Sequence, residues 1–326
     1  MLARDSTRIN IVTSCDNAYA QHTAVFLKSL LKNNQNTCRI FILVPSDFIH
    51  CTSLARNLGS HESCVEFLKI DLPKHASFKV SQHVPAASYF RLFLDKVIPT
   101  SISRVIYLDS DILINGPLDE LWAVDLQNCI IAAVSDSIVS ANNGPLREGI
   151  GKRIGLAPTS NYLNAGVLVI DLCRWRNARL GERALEFALD HPDLITYWDQ
   201  CALNHVVNGQ FQELTKEWNF QTYHLRCSPN GKYTLDSLRE INVAKIIHYV
   251  GPAKPWLYRT NHPMKWLYWE YLRETEWHDY CPPDRNLLNV LRKIIRSSWL
   301  RRLRGVSQIA SAIRPSMPTN TYPALG

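Results

Sequence analysis

Strand and helix signals alternate along the first 71 residues, and this alternation restricts the fold more than any other feature of the sequence. β-rich apolar runs cover residues 9–14, 39–44 and 65–71. Residues 24–33 carry apolar side chains at helical spacing, and a second helix is predicted from its N-cap candidate Ser46. A β-α-β-α-β order implies parallel strands joined by crossover helices. The sequence therefore predicts an α/β fold with a mostly parallel central sheet.

The rest of the chain is less regular. The predicted elements are a short helix over residues 86–94, a strand over 104–111, a strand over 166–172, a helix over 176–192 that Pro192 ends, and a strand over 242–249. With 326 residues, 46% of them apolar, the chain has enough material for one large α/β domain or two smaller ones. No Gly/Ser-rich linker divides it before about residue 257.

Two carboxylates, Asp109 and Asp111, interrupt an otherwise apolar run. Ligands of open parallel sheets bind beyond the carboxyl ends of the strands, which is where this pair is predicted to lie. Residues i and i+2 of a strand project to the same side, so the two carboxylates repel each other and are costly to bury without a positive partner. A divalent cation such as Mg²⁺, Mn²⁺ or Ca²⁺ would meet this need and bind phosphate oxygens as well. The alternative is a chance pair that caps a loop.

Basic residues are concentrated at the C-terminus. The formal net charge is +7, but eight Lys and Arg residues and no Asp or Glu follow Asp284, so residues 1–284 have a formal net charge of −1. A nucleic-acid-binding domain would spread basic residues over its folded surface, and no helix-turn-helix, RNP or zinc-finger pattern is present. We therefore expect no nucleic-acid partner.

The beginning of this basic tail has an amphipathic pattern. Its predicted apolar face consists of Leu287, Leu288, Val290, Leu291, Ile294 and Ile295. Arg292, Lys293 and Arg296 lie opposite, as in a helix at a membrane interface, and arginine together with Trp299 favours anionic lipid. A helix docked on its own domain would have the same pattern, so both interpretations are open.

Other features of the sequence bear on the compartment. No stretch approaches the roughly 20 apolar residues of a membrane-spanning helix, and the N-terminal residues MLARDSTRIN lack the apolar core of a secretory signal. Nine cysteines without a C-x-x-C pair argue against a disulfide or zinc framework. We expect a cytoplasmic protein that the basic tail places peripherally on the cytoplasmic face of the inner membrane.

Four motifs give the chain a family resemblance. VIYLDSDILINGPLDELW, YLNAGVLVIDLCRWR (162–176), DQCALNHV (199–206) and HYVGPAKPW (248–256) occur in the order and spacing of the family 8 glycosyltransferases. Over residues 8–280 the chain resembles the bacterial members that add hexoses to the lipopolysaccharide or lipooligosaccharide core. The resemblance implies a GT-A fold and retaining transfer of glucose or galactose from a UDP-sugar to a lipopolysaccharide-type acceptor.

The resemblance also implies site residues. Asp109, Asp111 and His248 match the metal ligands, with Mn²⁺ as the expected cofactor and Mg²⁺ as an alternative. Gly251 and Lys254 match positions near the diphosphate, where Lys254 would stabilise the charge that develops on departing UDP. The further donor-binding residues are Ser14, Asp16 and Tyr19 for the uridine, Ser110 beside the aspartates, and Arg91, Asn164, Ala165, Asp199 and Gln200 for the sugar.

Three of the implied positions carry additional information. Ala18 stands where the family often has an asparagine before the tyrosine. Asp136 matches an acceptor-side position. Gln200 occupies the place where a retaining hydrolase would have its nucleophilic carboxylate, and an amide is a poor nucleophile. We hypothesise departure and attack on the same face of the sugar, with Gln200 and Asp199 stabilising an oxocarbenium-like state and a phosphate oxygen accepting the acceptor's proton.

The predicted organisation has four parts. Residues 1–256 form a GT-A catalytic domain, 257–284 an aromatic-rich cap, 285–304 a basic amphipathic membrane-associating segment and 305–326 a disordered tail. The dense aromatic residues over 256–277 indicate a small core, with sugar stacking as the alternative. Two other function classes compete with the transferase: a metal-dependent nucleotidyltransferase, although the segment TSCDNAYAQHT lacks the glycine-rich phosphate loop expected there, and a non-catalytic carbohydrate-binding membrane protein.

Overall fold

A seven-stranded mixed sheet forms the centre of the protein. The computed structural model describes residues 8–34, 38–59, 64–72, 86–139, 145–228 and 231–295. The strands of this sheet are β1 (Ile9–Ser14), β2 (Cys38–Pro45), β3 (Val65–Ile70), β4 (Arg104–Leu108), β6 (Ile131–Ser135), β7 (Leu163–Asp171) and β8 (Gln212–Glu213), in the order β3-β2-β1-β4-β7-β6-β8. Among these described strands β7 alone runs against the other six. The predicted α/β class with a mostly parallel sheet is confirmed.

Helices cover both faces of the sheet, which explains the unbroken apolar runs of the central strands. Val12 and Tyr107 point into one core cluster, whereas their sequence neighbours Ile11 and Ile106 point into the other. The described helices are α1 (Ala20–Asn33), α2 (Cys51–Arg56), α3 (Leu94–Val97), α4 (Asp119–Trp122), α5 (Pro145–Arg153), α6 (Leu172–Asn177), α7 (Leu180–Asp190), α8 (Trp198–Val207), α9 (Leu235–Val243), α10 (Lys265–Arg273) and α11 (287–295). A 3₁₀ segment, Ala86–Phe93, precedes α3.

The order of the strands creates a crevice between β1 and β4. The chain passes from β1 to β2 and β3 on one side and then returns to β4 on the other side of β1. At such a topological switch point the loops that follow the two strands diverge, and ligands of α/β proteins bind there.

A second, three-stranded sheet begins directly after this crevice. It contains β5 (Ile112–Ile114), β10 (Ile246–His248) and β9 (Phe220–Gln221) in the order β5-β10-β9. The end of the strand predicted over residues 104–111 is therefore wrong. β4 ends at Leu108, and the apolar run resumes in β5 because Ile112–Ile114 pair with β10 in the other sheet.

Other element bounds also differ from the predictions. The helix predicted from Ser46 begins at Cys51, because the chain first makes a turn in which the Phe48 amide donates to the Pro45 carbonyl at 3.0 Å. The helix predicted over 176–192 is two helices, α6 and α7, separated by Arg179 at φ 50°. Residues 242 and 243 end α9 instead of starting a strand.

The C-terminal part packs against α1. Trp256, Tyr268 and Tyr271 are buried in a third core cluster, and the His22 ring of α1 stacks on Trp256 with ring centroids 3.6 Å apart. Burial lowers the pKa of His22 to about 3, so this ring is neutral. None of the described helices is both long and apolar enough to cross a bilayer. The predicted tail residues 296–326 lie outside the described residues.

Gly181 generates a stability prediction. It lies in α7 against the backbone carbonyl of Leu92, and a Cβ at this position would come closer than 3.0 Å to the carbonyl oxygen. Replacing a helical glycine by alanine ordinarily stabilises by about 1 kcal/mol. We expect Gly181→Ala instead to lower the unfolding free energy of the protein by roughly 1–3 kcal/mol, because the backbone at Leu92 or in α7 has to move. Urea unfolding measures the difference.

Gly149→Ala in α5 is the matched control. A Cβ at Gly149 has no neighbour within 4 Å among the described residues, so the unfolding free energy of the Gly149→Ala protein should stay the same or rise by up to about 1 kcal/mol. A Gly181→Ala protein at least as stable as the wild type would contradict the packing described here.

Candidate active site

A cavity of about 350 Å³ lies at the carboxyl ends of β1 and β4. It is lined by the predicted site residues Ser14, Asp16, Tyr19, Arg91, Asp109, Ser110, Asp111, Asp136, Asn164, Ala165, Asp199, Gln200, His248 and Gly251. Lys254 is not among the lining residues, but its ammonium group contacts Asp111, which is. The fold thus brings together residues from positions 14 to 254 of the chain.

The turn between the two sheets positions the aspartate pair. Asp109 follows β4, Asp111 precedes β5, and the Asp109 amide donates to the Gly166 carbonyl of β7 at 2.9 Å. His248 ends β10 directly opposite Ile112 of β5, so the antiparallel pairing brings its ring to Asp111. Asp109, Asp111 and His248 each offer a ligand atom, and these atoms lie within 4.8 Å of one another.

Each aspartate binds a cationic side chain with one oxygen and faces His248 with the other. Asp109 Oδ1 accepts from Arg91 at 2.8 Å, and Asp111 Oδ2 accepts from Lys254. The remaining oxygens, Asp109 Oδ2 and Asp111 Oδ1, lie 3.9 and 3.2 Å from His248 Nε2. Burial would raise the pKa of Asp111, but the positive charge around it, above all the Lys254 ammonium group, outweighs burial and holds that pKa well below its usual range. Asp111 is therefore ionised.

Arg91 is a buried bridge between two carboxylates. Its guanidinium contacts Asp109 and, through Nε at 2.7 Å, Asp199 Oδ2, and it lies 4.4 Å over the Tyr107 ring. It also donates to the Ala165 carbonyl. The Nε–H itself is directed at the Ser88 carbonyl at 3.1 Å, so Asp199 Oδ2 is held by charge and not by a hydrogen bond.

The protonation of the Arg91 bridge follows from its surroundings. Burial would lower the pKa of Arg91, but Asp109 and Asp199 outweigh burial and raise it, so the guanidinium stays charged. Burial raises the pKa of Asp199 to about 6, although Arg91 opposes that change. Without the family resemblance the sequence would predict Arg91 to be solvated, whereas its side chain is only 5% exposed.

Gln200 and Asp136 form the opposite wall. Gln200 Oε1 accepts from the Ala165 amide at 2.9 Å, and its Nε2 donates to Asp136 Oδ2 at 3.1 Å. The same Asp136 oxygen accepts from Asn164 Nδ2 at 3.0 Å. Asp136 Oδ1 accepts from the amides of Ile138 and Val139. This carboxylate thus has four donors and fixes the Gln200 amide.

The loop after β1 supplies the remaining wall. Ser14 Oγ and the Tyr107 hydroxyl share a hydrogen bond of 2.7 Å. Asp16 Oδ1 accepts from the Tyr19 amide at 2.9 Å at the start of α1, and burial raises the pKa of Asp16. Tyr19 meets the Trp256 ring edge-on, with ring centroids 5.8 Å apart. The predicted uridine residues therefore lie where the cavity meets the aromatic cluster.

The segment after His248 wraps around Asp111. Gly251 has φ +82°, a conformation that favours glycine, and a Cβ there would overlap the Tyr223 hydroxyl. Lys254 Nζ donates to the Tyr249 carbonyl at 2.7 Å as well as to Asp111. Lys254 is thereby fixed beside the aspartate pair.

Sequence reasoning missed two residues that support the cluster. Gly166 is packed so closely that a Cβ would come within 3.0 Å of the His248 ring and of Asp109 Oδ2. A glycine inside a predicted strand is a signal of close approach, and it was available in YLNAGVLVIDL. Asn219 accepts from His248 Nδ1 at 2.8 Å, but nothing in the sequence around it indicates this contact.

Aromatic side chains that were not predicted as site residues complete the lining. Tyr197, Trp198 and Tyr223 all border the cavity. Trp198 has φ 41°, which is uncommon for a bulky residue, and it directly precedes Asp199. Strained backbone of this kind is concentrated at ligand-binding and catalytic sites.

Known proteins resemble this chain over most of its length. Residues 10–260 match the family model described as Glycosyl transferase family 8. The chain is 29% identical to General stress protein A of Bacillus subtilis (strain 168), over 85% of this chain and 98% of that protein. It is 25% identical to Lipopolysaccharide 1,2-glucosyltransferase of Escherichia coli (strain K12), over 85% of this chain and 81% of that protein.

A solved structure is also similar. The galactosyltransferase LgtC, in complex with donor and acceptor sugar analogues, superposes with a TM-score of 0.70 at 26% identity, over 85% of this chain and 98% of that chain. This similarity confirms the predicted GT-A fold. The family match covers most of the chain and all the motifs that form the cavity, so the chain belongs to glycosyl transferase family 8.

Proposed function

We propose that this protein is a retaining transferase that moves glucose or galactose from a UDP-sugar to a lipopolysaccharide-type acceptor. The observation that carries the proposal is the convergence of Asp109, Asp111 and His248 at the cavity, with Arg91 and Lys254 beside them. The similarity to a lipopolysaccharide glucosyltransferase and to a galactosyltransferase supports the substrate class. The match to a glycosyl transferase family disfavours the nucleotidyltransferase alternative.

The three-residue cluster fits a divalent cation. Among the described side chains, the three carboxylates Asp109, Asp111 and Asp199 face only the two fixed cations Arg91 and Lys254. Oxygen ligands with one imidazole are compatible with Mn²⁺, with Mg²⁺ as the alternative. When bound, Mn²⁺ supplies Lewis-acid stabilisation for the negative charge that develops on UDP.

The chain's own residues would bind and orient the donor. Ser14, Asp16 and Tyr19 lie at the end of β1, where the uridine is proposed to bind. Gly251 lines the same cavity as Asp111, and the Lys254 ammonium group contacts Asp111, where it would be close to the diphosphate oxygens. A fixed positive charge near the leaving group stabilises the transition state more than the ground state, because the leaving group becomes more negative as the bond breaks.

The wall opposite the aspartates favours same-face attack. Both polar ends of the Gln200 amide are used, by Ala165 and by Asp136, so Gln200 is oriented but presents no carboxylate to the anomeric carbon. Gln200 and Asp199 are proposed to stabilise the oxocarbenium-like state, while a phosphate oxygen accepts the acceptor's proton. Asp136, at the acceptor side, acts by holding Gln200 in place.

A lipid-linked acceptor is consistent with the exposed face of α11. Leu287, Leu288, Leu291, Ile294 and Ile295 are between 46% and 75% exposed. The helix contacts the rest of the chain through its other side, where Lys293 donates to the Tyr258 carbonyl at 3.3 Å and Asn289 to the Asp284 carbonyl at 2.7 Å. This exposure favours the membrane interpretation over the docked one, and we propose that α11 binds anionic lipid of the inner membrane.

A panel of UDP-hexoses tests the activity. We expect Mn²⁺-dependent release of UDP from UDP-glucose or UDP-galactose, abolished by EDTA. Asp111→Asn should lower this rate by more than about 100-fold, because it weakens a cation site expected to contribute several kcal/mol of charge stabilisation in the transition state. The exposed Asp119→Asn in α4 is the matched control and should keep the wild-type rate. A wild-type rate in Asp111→Asn, or UDP release that does not depend on Mn²⁺, would exclude the proposed site.

Gly166→Ala tests the packing beneath the cluster. The added methyl displaces the buried His248 ring or Asp109, so we expect Mn²⁺ binding to weaken about 10- to 100-fold. Electron paramagnetic resonance of free Mn²⁺ measures the affinity of the protein for the ion, at a temperature at which the variant is still folded. Gly151→Ala is the control, because a Cβ there meets Leu156 at an ordinary 3.8 Å. Unchanged Mn²⁺ affinity in Gly166→Ala would contradict the arrangement.

Vesicle sedimentation tests the membrane proposal. The full chain should bind vesicles that contain phosphatidylglycerol better than vesicles of phosphatidylcholine alone, and salt should weaken binding. Replacing Leu288 and Leu291 together by Glu should weaken binding by at least about tenfold, because two leucine side chains that enter the bilayer contribute several kcal/mol to binding. Leu235→Glu, at a residue 71% exposed in α9, should leave binding unchanged. Equal sedimentation of all variants would refute membrane binding by α11.

A further inference from the structure

A continuous chain of buried hydrogen bonds connects His248 to the opposite wall of the cavity. His248 Nδ1 is 2.8 Å from Asn219 Oδ1, and Asn219 Nδ2 is 2.9 Å from Asn164 Oδ1. Asn164 Nδ2 in turn donates to Asp136 Oδ2 at 3.0 Å. His248, Asn219, Asn164 and Asp136 are each at most 5% exposed, so water does not replace these bonds.

The orientation of the Asn164 amide is determined at both of its ends. The Gly166 backbone N–H donates to Asn164 Oδ1 at 3.1 Å, and a backbone N–H is always a donor. At the other end the Asp136 carboxylate requires a donor, which Nδ2 provides. Reversing this amide would place two donors together at Gly166 and two acceptors together at Asp136. Asn164 Oδ1 is therefore an acceptor.

The direction of every other bond in the chain follows. Since Asn164 Oδ1 accepts, the Asn219 atom beside it is the donor Nδ2, and the other end of the Asn219 amide is the acceptor Oδ1. An acceptor 2.8 Å from His248 Nδ1 requires a hydrogen on that nitrogen. In the neutral ring the lone pair is then on Nε2, which faces Asp111 Oδ1 at 3.2 Å and Asp109 Oδ2 at 3.9 Å.

We propose that Asn219 is a positioning residue that holds His248 in the tautomer with hydrogen on Nδ1, so that Nε2 is available as a ligand. The inference rests on the metal site of the proposed function, and it adds a residue and a role to that site. The hydrogen bond to one ring nitrogen of a histidine sets which nitrogen can bind a metal. The Gly166 amide, through Asn164 and Asn219, thus determines which nitrogen of the His248 ring carries the hydrogen.

Removing the Asn219 amide would release this constraint. His248 Nδ1 would lose its acceptor, and the ring could move its hydrogen to Nε2 and donate to Asp111 instead. With a hydrogen on Nε2, this nitrogen has no free lone pair on the side that faces the aspartates and cannot bind a metal there. Metal affinity should fall although all three ligands are still present, and outer partners of metal-binding histidines typically change affinity about 10- to 100-fold.

Nuclear magnetic resonance on the metal-free full chain reads the tautomer directly. Long-range ¹H–¹⁵N correlations of protein labelled at histidine distinguish a ring with hydrogen on Nδ1 from one with hydrogen on Nε2. His248→Gln identifies which of the 11 histidine signals belongs to position 248. In spectra recorded at a pH at which the ring is neutral, we expect wild-type His248 to carry its hydrogen on Nδ1. This readout needs neither metal nor turnover, so its result is separate from that of the UDP-hexose assay.

Substitutions at Asn219 test the cause. Asn219→Ala should populate the Nε2–H tautomer and weaken Mn²⁺ binding about 10- to 100-fold. Asn219→Asp keeps an acceptor beside Nδ1 and should keep the Nδ1–H tautomer, but it loses the donor to Asn164 Oδ1, so its Mn²⁺ affinity should lie between those of the wild type and Asn219→Ala. Asn34→Ala is the control, because Asn34 is also buried and hydrogen-bonded but lies at the end of α1, remote from the cluster.

Two results would overturn the proposal. One is a wild-type spectrum in which His248 Nδ1 carries no hydrogen. This spectrum tests the proposal even if the Asn219 variants do not fold. The other is an Asn219→Ala protein that keeps the Nδ1–H tautomer and the wild-type affinity for Mn²⁺. A loss in Asn34→Ala as large as in Asn219→Ala would assign the effect to general destabilisation and refute the specific role.

Discussion

Repulsion between Asp109 and Asp111 is the constraint on which the rest of the site depends. Two carboxylates at the edge of an apolar sheet are tolerated only where positive groups surround them. The fold supplies Arg91 from the 3₁₀ segment on one side and Lys254 from the segment after β10 on the other. Each cation occupies one oxygen of its aspartate, so the other two oxygens are left to converge with His248.

Close backbone approach makes this convergence possible. Gly166 of β7 allows the His248 ring and the Asp109 carboxylate to lie directly on the strand, and Gly181 of α7 allows the helix to lie directly on the backbone next to Arg91. A side chain at either position would separate elements that have to touch. Tight packing at the two glycines thus affects the positions of charged groups several residues away.

The C-terminal cluster completes the site from outside the sheet. His22 of α1 stacks on Trp256, and Tyr19 meets the same ring edge-on, so the beginning of α1 is attached to the segment that carries Lys254. The aromatic residues that the sequence concentrates near the C-terminus largely form this cluster, with Trp266 left exposed. Tyr19, proposed for the nucleotide, and Lys254, proposed for the diphosphate, are therefore held by the same aromatic cluster.

The sequence by itself determined the α/β class, the first three strands and the candidate site residues, because periodicity and ordered motifs are local signals. It could not place Asn219, which is 29 positions from His248 and meets it only where β9 and β10 pair. Nor could it show that β4 and β5 belong to different sheets, since their residues are equally apolar. Long-range pairing and close backbone approach decided those features, and neither leaves a periodic pattern along the chain.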